Sequence, residues 1–229
     1  ELMNVGVNYL REHVKSDARM HYAYLNDGGD APNIVPAAAT LLYALRAPKS
    51  AYVAELYERV GDVAKGAALM TGTKVSYRTV SAYAELLSVP AMEALMMEAM
   101  QEAEKPEYTD DDFAYAARFA ADQASPSIDT AILPADQSIN LGSTDVGDVS
   151  WIVPTVHLNI PTFAAGTALH SWQAVAQGKS SIAHKGMLYA AKIMSLTALD
   201  FLQNPELANQ ARKELTETLD GETYPNPLP

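Results

Sequence analysis

The 229-residue chain carries 28 acids against 16 bases, a formal net charge of −12, with 48% hydrophobic and 19% charged residues. This excludes a disordered or collagen-like chain, and it argues against a duplex-binding surface, which needs clustered Lys and Arg to neutralise phosphate. The absence of cysteine excludes a disulfide framework, a thiolate zinc site and a Cys nucleophile, and it fits a reducing cytoplasmic setting.

The chain begins at Glu1, without methionine, inside what reads as a helix. Leu2, Val5, Val7, Leu10 and Val14 recur at helical spacing over residues 1–15, and no start signal precedes them. Residues 18–25 alternate, with Met20, Tyr22 and Tyr24 against Arg19, His21 and Ala23, which predicts a strand. Asp27-Gly28-Gly29-Asp30 is a turn signal, and Pro32 and Pro36 bracket an extended connection through Asn33. A second strand is expected over 40–47, ended by Pro48. Ser50 suits the N-cap of a helix whose apolar stripe runs from Val53 to Ala67, with Gly72 as its C-terminal stop. Residues 74–80 alternate again. The order helix, strand, strand, helix, strand matches a ferredoxin-like βαββαβ unit lacking its first strand. The expectation is a chain cut just before Glu1.

The remainder reads as mostly helical. Pro90 opens a helix with a stripe of Met92, Leu95, Met96, Ala99, Met100 and Ala103, a pattern of ordinary core. Thr109-Asp110-Asp111-Asp112 resembles a capping box before a helix expected over 113–123. Residues 124–147 read as a long loop rich in Ser, Pro, Asp and Gly. Residues 156–160 read as a strand, and helices are expected over 180–203 and 205–219, the last opened by Asn204-Pro205 as cap and first turn. The tail from Tyr224 to Pro229 is proline-rich and expected to be extended. The most apolar stretch, residues 187–202, is broken by Lys192, Ser195, Thr197 and Asp200. It falls short of the ~20 apolar residues of a membrane span. The N-terminus also lacks the basic-then-apolar layout of a signal peptide.

Four places carry candidate chemistry. Gly178-Lys179-Ser180 looks like the end of a phosphate-binding loop, but Gln173 stands where that loop needs glycine, so a solvated lysine is the better reading. Among the five histidines none forms the i, i+4 pair of a helical zinc site. His170 stands out, in a turn after the strand expected at 156–160, where α/β folds place ligands; a structural histidine is the competing reading. Asp145, in Gly142-Ser143-Thr144-Asp145-Val146-Gly147-Asp148, could serve a metal or amine site or simply cap a helix. Asn33 and Arg46 could clamp a carboxylate if they converge, Arg46 being otherwise an exposed strand-end charge.

Several of these stretches together resemble a known family. Asp27-Gly28-Gly29-Asp30-Ala31-Pro32-Asn33-Ile34-Val35-Pro36 is similar to the lid loop of dinuclear metallopeptidases related to carboxypeptidase G and aminoacylase, and Leu45-Arg46-Ala47-Pro48 to the strand after it. Gly66-Ala67-Ala68-Leu69-Met70-Thr71, the block from Ser143 to Trp151, Leu169-His170-Ser171-Trp172-Gln173 and the block from Ser181 to Leu188 resemble the aminobenzoyl-glutamate-hydrolysing branch of that family. The likeness covers nearly the whole chain.

The resemblance implies a metal-binding catalytic domain interrupted by a smaller ferredoxin-like domain that dimerises. Residues 1–15 and 17–82 resemble that smaller domain, so a dimerisation (lid) domain is expected over 1–85 and the C-terminal part of a catalytic domain over 86–229. The fold class expected is α+β or α/β. The implied activity is hydrolysis of an amide bond to glutamate or a similar amino acid, with two divalent ions, manganese or zinc, activating water and a glutamate as general base. His170 matches a metal-ligand histidine, Asn33 and Arg46 match lid residues that hold the substrate's carboxylate end, and Asp145 lies in a matching acidic loop. The other metal ligands, the general base and the lid histidine of the family precede the position of Glu1. The chain is therefore expected to be inactive alone. Expected partners are a second copy through residues 17–82, a related A subunit and a small carboxylated amide, without nucleic acid or membrane. The competing function is a non-catalytic dimerisation or small-molecule-binding module.

Overall fold

Apolar residues at helical spacing fold Leu2–Leu10 into α1, which tightens into a 3-10 turn over Arg11–His13. This computed structural model describes residues 1–120, 126–134, 142–226 and 228. The end of the helix expected over 113–123, parts of the loop expected over 124–147, and Pro227 and Pro229 of the tail lie outside the described residues. The fold is α+β, combining helices with a two-stranded antiparallel sheet. The chain divides into two units: Glu1–Leu86 with Ser138–Ile152 and Thr223–Pro229, and Leu87–Gln137 with Val153–Glu222.

In the first unit, β1 (Arg19–Asn26) pairs with β2 (Thr40–Arg46). The register sets Arg19 opposite Arg46, Met20 opposite Leu45 and Tyr22 opposite Tyr43, with one irregularity between Tyr24 and Asn26. Alternation gives the sheet two faces. Met20, Tyr43 and Leu45 turn inward onto Val7 of α1 and Val60 of α2 (Ser50–Thr71). Arg19, His21, Ala23, Leu42, Ala44 and Arg46 form an exposed outer face. The buried Asn4 amide donates to the Tyr24 hydroxyl at 2.9 Å and accepts from Tyr43. Burial, with Tyr22 and Tyr24 nearby, pushes the Tyr43 phenol up to about 12. Gly72 ends α2 in the left-handed conformation that glycine adopts without steric cost.

Two expectations change in this unit. Residues 74–80 form no strand. Tyr77 instead packs on α2, edge-on to Tyr57 with ring centroids 5.8 Å apart and its hydroxyl against Gly61. Alternation permits a strand, but only a neighbouring backbone creates one. Ser50 is also not the N-cap; that position is Lys49, and the N-terminus of α2 is satisfied from outside by Glu85, whose carboxylate accepts from the Ser50 amide at 3.0 Å and from its hydroxyl.

In the second unit, α3 (Pro90–Glu102) and α7 (Ser181–Gln203) build a core of Met96, Ala99, Ala103, Tyr189 and Ile193. The methionine stripe is core. Val156, Leu158 and Ile160 pack against it in strict alternation, yet residues 156–160 make no ladder, which corrects the strand expected there. Asn204 caps α8 (Pro205–Leu219) by accepting from the Glu206 amide at 3.3 Å. The capping box forms as expected, but it opens a shorter and earlier helix, α4 (Asp110–Ala116). Thr109 donates its amide to Asp112 at 2.9 Å, and Asp112 donates its own to the Thr109 hydroxyl oxygen at 3.3 Å. No helix among the described residues is long and apolar enough to cross a membrane.

Candidate functional site

His170 has a backbone φ of 59° and, with Asp220, is one of two non-glycine residues at positive φ among the described residues. A side chain in that region costs free energy and persists where the surroundings impose it, often at functional sites. The surroundings here are specific. His170 lies between a turn over residues 164–167 and α6 (Trp172–Gln177). Ser171 caps α6, accepting from the Ala174 amide at 3.2 Å while its hydroxyl donates to the Ala168 carbonyl at 2.6 Å. The imidazole is exposed, beside Leu169 and Trp172, which are also exposed.

Gln177 holds this turn from within, and nothing in the sequence singled it out. It is fully buried. Its Oε1 accepts from the Ala164 amide at 2.7 Å, and its Nε2 donates to the Thr167 hydroxyl at 3.0 Å and the Gln173 carbonyl at 3.2 Å. A buried amide with donors and acceptor all engaged fixes its neighbours. Gln177→Leu would leave the buried Ala164 amide unpaired. The expected loss is about 1–3 kcal/mol in urea unfolding, together with broadening of the His170 imidazole resonances. An unchanged midpoint and sharp resonances would contradict the role.

The first unit carries the other candidates. Asn33 sits in the exposed loop between β1 and β2, in a turn closed by the Ile34 amide donating to the Ala31 carbonyl at 3.1 Å. Gly28 (φ 105°) starts the loop, and a Cβ there would stand 2.3 Å from the Pro36 ring, so both conformation and contact require glycine. The Asn26 side chain accepts from the Gly28 amide at 2.9 Å. Arg46 ends β2 at the opposite end of the ladder from this loop. Six residue steps of strand make that separation ~20 Å from Thr40.

Asp145 is exposed at the N-cap position of α5 (Val146–Ser150), but its side chain caps nothing. Thr144 does that work, its hydroxyl oxygen accepting from the Val146 amide at 3.3 Å. The contacts of this block belong to its neighbours. Asp148 accepts from the Ala84 amide at 2.7 Å, and the Trp151 indole donates to the Glu85 carbonyl at 3.0 Å. Burial opposes ionisation of Glu85, but the Ser50 hydrogen bonds and Lys49 outweigh it and hold that carboxyl below its usual value.

The remaining histidines, His13, His21, His157 and His184, are exposed. Gly178-Lys179-Ser180 is the connection from α6 to α7, with Ser180 capping α7 through the Ala183 amide at 3.1 Å. Among the described residues no three His, Asp or Glu side chains gather as a metal site. The donor set on hand therefore does not make up the two-ion site that the resemblance implies.

The chain is 36% identical over 257 aligned positions to the B subunit of p-aminobenzoyl-glutamate hydrolase from Escherichia coli (strain K12), covering 100% of this chain and 53% of that protein. It is 30% identical to the Xaa-Arg dipeptidase of Mus musculus, over 98% of this chain and 47% of the relative. The Homo sapiens Xaa-Arg dipeptidase is 27% identical, over 96% and 45%. No protein-family model matches the chain. The chain spans about half the length of the curated relatives it matches. The resemblance to peptidases and amidohydrolases thus holds along the whole chain.

Proposed function

From a chain related along its whole length to peptidases and amidohydrolases, we propose that it is part of a metal-dependent amidohydrolase. Its reaction is cleavage of an amide bond to glutamate or a similar amino acid, in a p-aminobenzoyl-glutamate-like substrate. The identity to the aminobenzoyl-glutamate hydrolase, extending over the full chain, carries this reading. The constrained backbone of His170 supports its role as one ligand of a manganese or zinc pair. The remaining ligands and the general base then belong to protein outside this chain, and no step of the reaction is assigned to residues here.

In this reading residues 1–85 are a ferredoxin-like lid that dimerises through 17–82, and 86–229 are the C-terminal part of the catalytic domain. Arg46 holds the carboxylate end of the substrate, and Asp145 borders the site loop. A related A subunit is the further partner, in keeping with the bacterial relative's name, which marks it as one subunit of its enzyme.

The test is an assay of a protein joining this chain to the half its relatives possess. Hydrolysis of p-aminobenzoyl-glutamate should disappear on chelation and return with manganese or zinc, and the present chain alone should show none. Undiminished turnover in a metal-free preparation would contradict the proposal.

A further inference from the structure

Helix α7 is apolar on two opposite sides. Ile182, Gly186, Tyr189, Ile193 and Thr197 face inward and are buried. On the other side Met187, Leu188, Met194, Leu199 and Leu202 are exposed, Leu199 by 47% and Leu202 by 82%. A helix that is apolar all round is ordinarily a buried one. The helix that follows shows what a solvent face looks like in this unit: Glu206, Arg212, Lys213 and Glu217 cover the exposed side of α8. On the outer side of α7, Ser195 turns its hydroxyl back to the Ala191 carbonyl at 2.7 Å, so its donor is satisfied within the helix. The stripe from Met187 to Leu202 runs ~22 Å along the axis, more than a small ligand covers. The same unit holds a second unfinished feature. Residues 156–160 are extended, with Val156, Leu158 and Ile160 packed on the core. No backbone–backbone hydrogen bond joins these residues to another segment among the described residues. Extended backbone against a packed core is ordinarily paired.

We propose that the outer face of α7 is where this chain packs against the half that its relatives possess beyond it. The inference rests on the reading of the chain as part of a larger amidohydrolase, and it assigns the surface on which the two parts meet. The chain corresponds to 53% of the bacterial relative and 47% of the murine one, so each relative has about as much protein again. A further portion of the same domain can cover α7 and pair residues 156–160 together. Burying the stripe removes from water an apolar area that the chain by itself leaves exposed.

Oxidation by dilute peroxide, read by mass spectrometry against an added methionine peptide, tests it, because exposed methionine reacts faster than buried methionine. In the present chain Met187 and Met194, both exposed, should oxidise nearly as fast as the peptide. In the protein that joins this chain to the other half, both should slow severalfold. Leu188→Glu should leave the urea midpoint of the present chain unchanged, since Leu188 is exposed there, and should lower that of the joined protein. Unprotected Met187 and Met194 in the joined protein, or equal effects of Leu188→Glu on both proteins, would overturn the proposal. So would protection that arises in the present chain alone as its concentration rises, which would assign the face to a second copy. Neither readout needs turnover. Protection without hydrolysis would overturn the proposed reaction and keep the interface, and hydrolysis without protection would do the reverse.

Discussion

Asp112→Ala should cost about 3 kcal/mol of stability, because it removes the carboxylate that ties α4 to α7 and leaves the Lys185 ammonium behind. Asp112 is buried, and its Oδ2 lies 2.5 Å from Lys185 Nζ. The same oxygen accepts from the Thr109 amide at 2.9 Å and from the Thr109 hydroxyl at 3.1 Å. The Tyr108 ring lies 5.6 Å from the ammonium on another side. One side chain therefore completes a capping box and an ion pair together. Lys185 is about a quarter exposed, which keeps the expected cost below that of a fully buried pair. Asp112→Asn keeps the shape and some hydrogen bonds and should cost less.

The pH dependence follows from the same contacts. Burial alone would raise the Asp112 carboxyl, but hydrogen bonds from Lys185, Thr109 and Ser181 outweigh it and bring it from 3.8 down to about 2. The folded value is depressed, so the contribution is fully present above the unfolded value near pH 4 and is lost as pH falls towards 2. Urea unfolding at stepped pH checks this. Wild-type stability should fall across that window, and Asp112→Asn should fall less steeply. Equal slopes would contradict the assignment.

Gly147→Ala should be comparably damaging, at about 3 kcal/mol, because the clash is with backbone that cannot swing aside. A Cβ on Gly147 would stand 2.0 Å from the Ala84 carbonyl oxygen and 3.0 Å from its carbon. Helix α5 would have to lift from residues 84–86. It would lose the Asp148 bond to the Ala84 amide and the Trp151 bond to the Glu85 carbonyl. Glu85 in turn satisfies the start of α2, so the damage should spread to that helix. The chain has two tryptophans, and Trp172 is exposed. In a Trp172→Phe background, emission therefore reports on Trp151 alone. It should shift to the red in Gly147→Ala, with a lower thermal midpoint. Unchanged emission and midpoint would refute the close packing.

Much of the local structure was legible in the sequence. Gly72, Asn204-Pro205 and the Thr109 capping box punctuate helices through contacts a few residues apart, and each punctuates one in the structure. The alternation around Asp27-Gly28-Gly29-Asp30 correctly gave a hairpin, because turn and strands are neighbours in the chain. The same alternation misled at 74–80 and 156–160. At 156–160 alternate side chains turn onto helices, at 74–80 Tyr77 packs on α2 while Val75 stays exposed, and neither segment has a strand beside it among the described residues.

The candidate site divides in the same way. His170, Asn33, Arg46 and Asp145 could be chosen from residue type and from blocks that resemble a family. The blocks did not reveal that Gly147, Asp148 and Trp151 hold α5 in place while Asp145 faces outward. Nor did they reveal Gln177, which looks like an ordinary polar helix residue until residues 164–167 fold back over it.

By itself, then, the amino-acid order determined the end of α2 and the limits of α7 and α8, the two strands joined by a turn, the acidic and cysteine-free character and the kinship with amide-cleaving enzymes. These depend on near neighbours or on whole-chain similarity. Only the tertiary structure decided that Arg19 faces Arg46, that Lys185 answers Asp112 from 73 residues away, and that His170 is held at positive φ. Such features are set by register, burial and distant hydrogen bonds. Their energies belong to pairs of segments, and neither segment alone carries them.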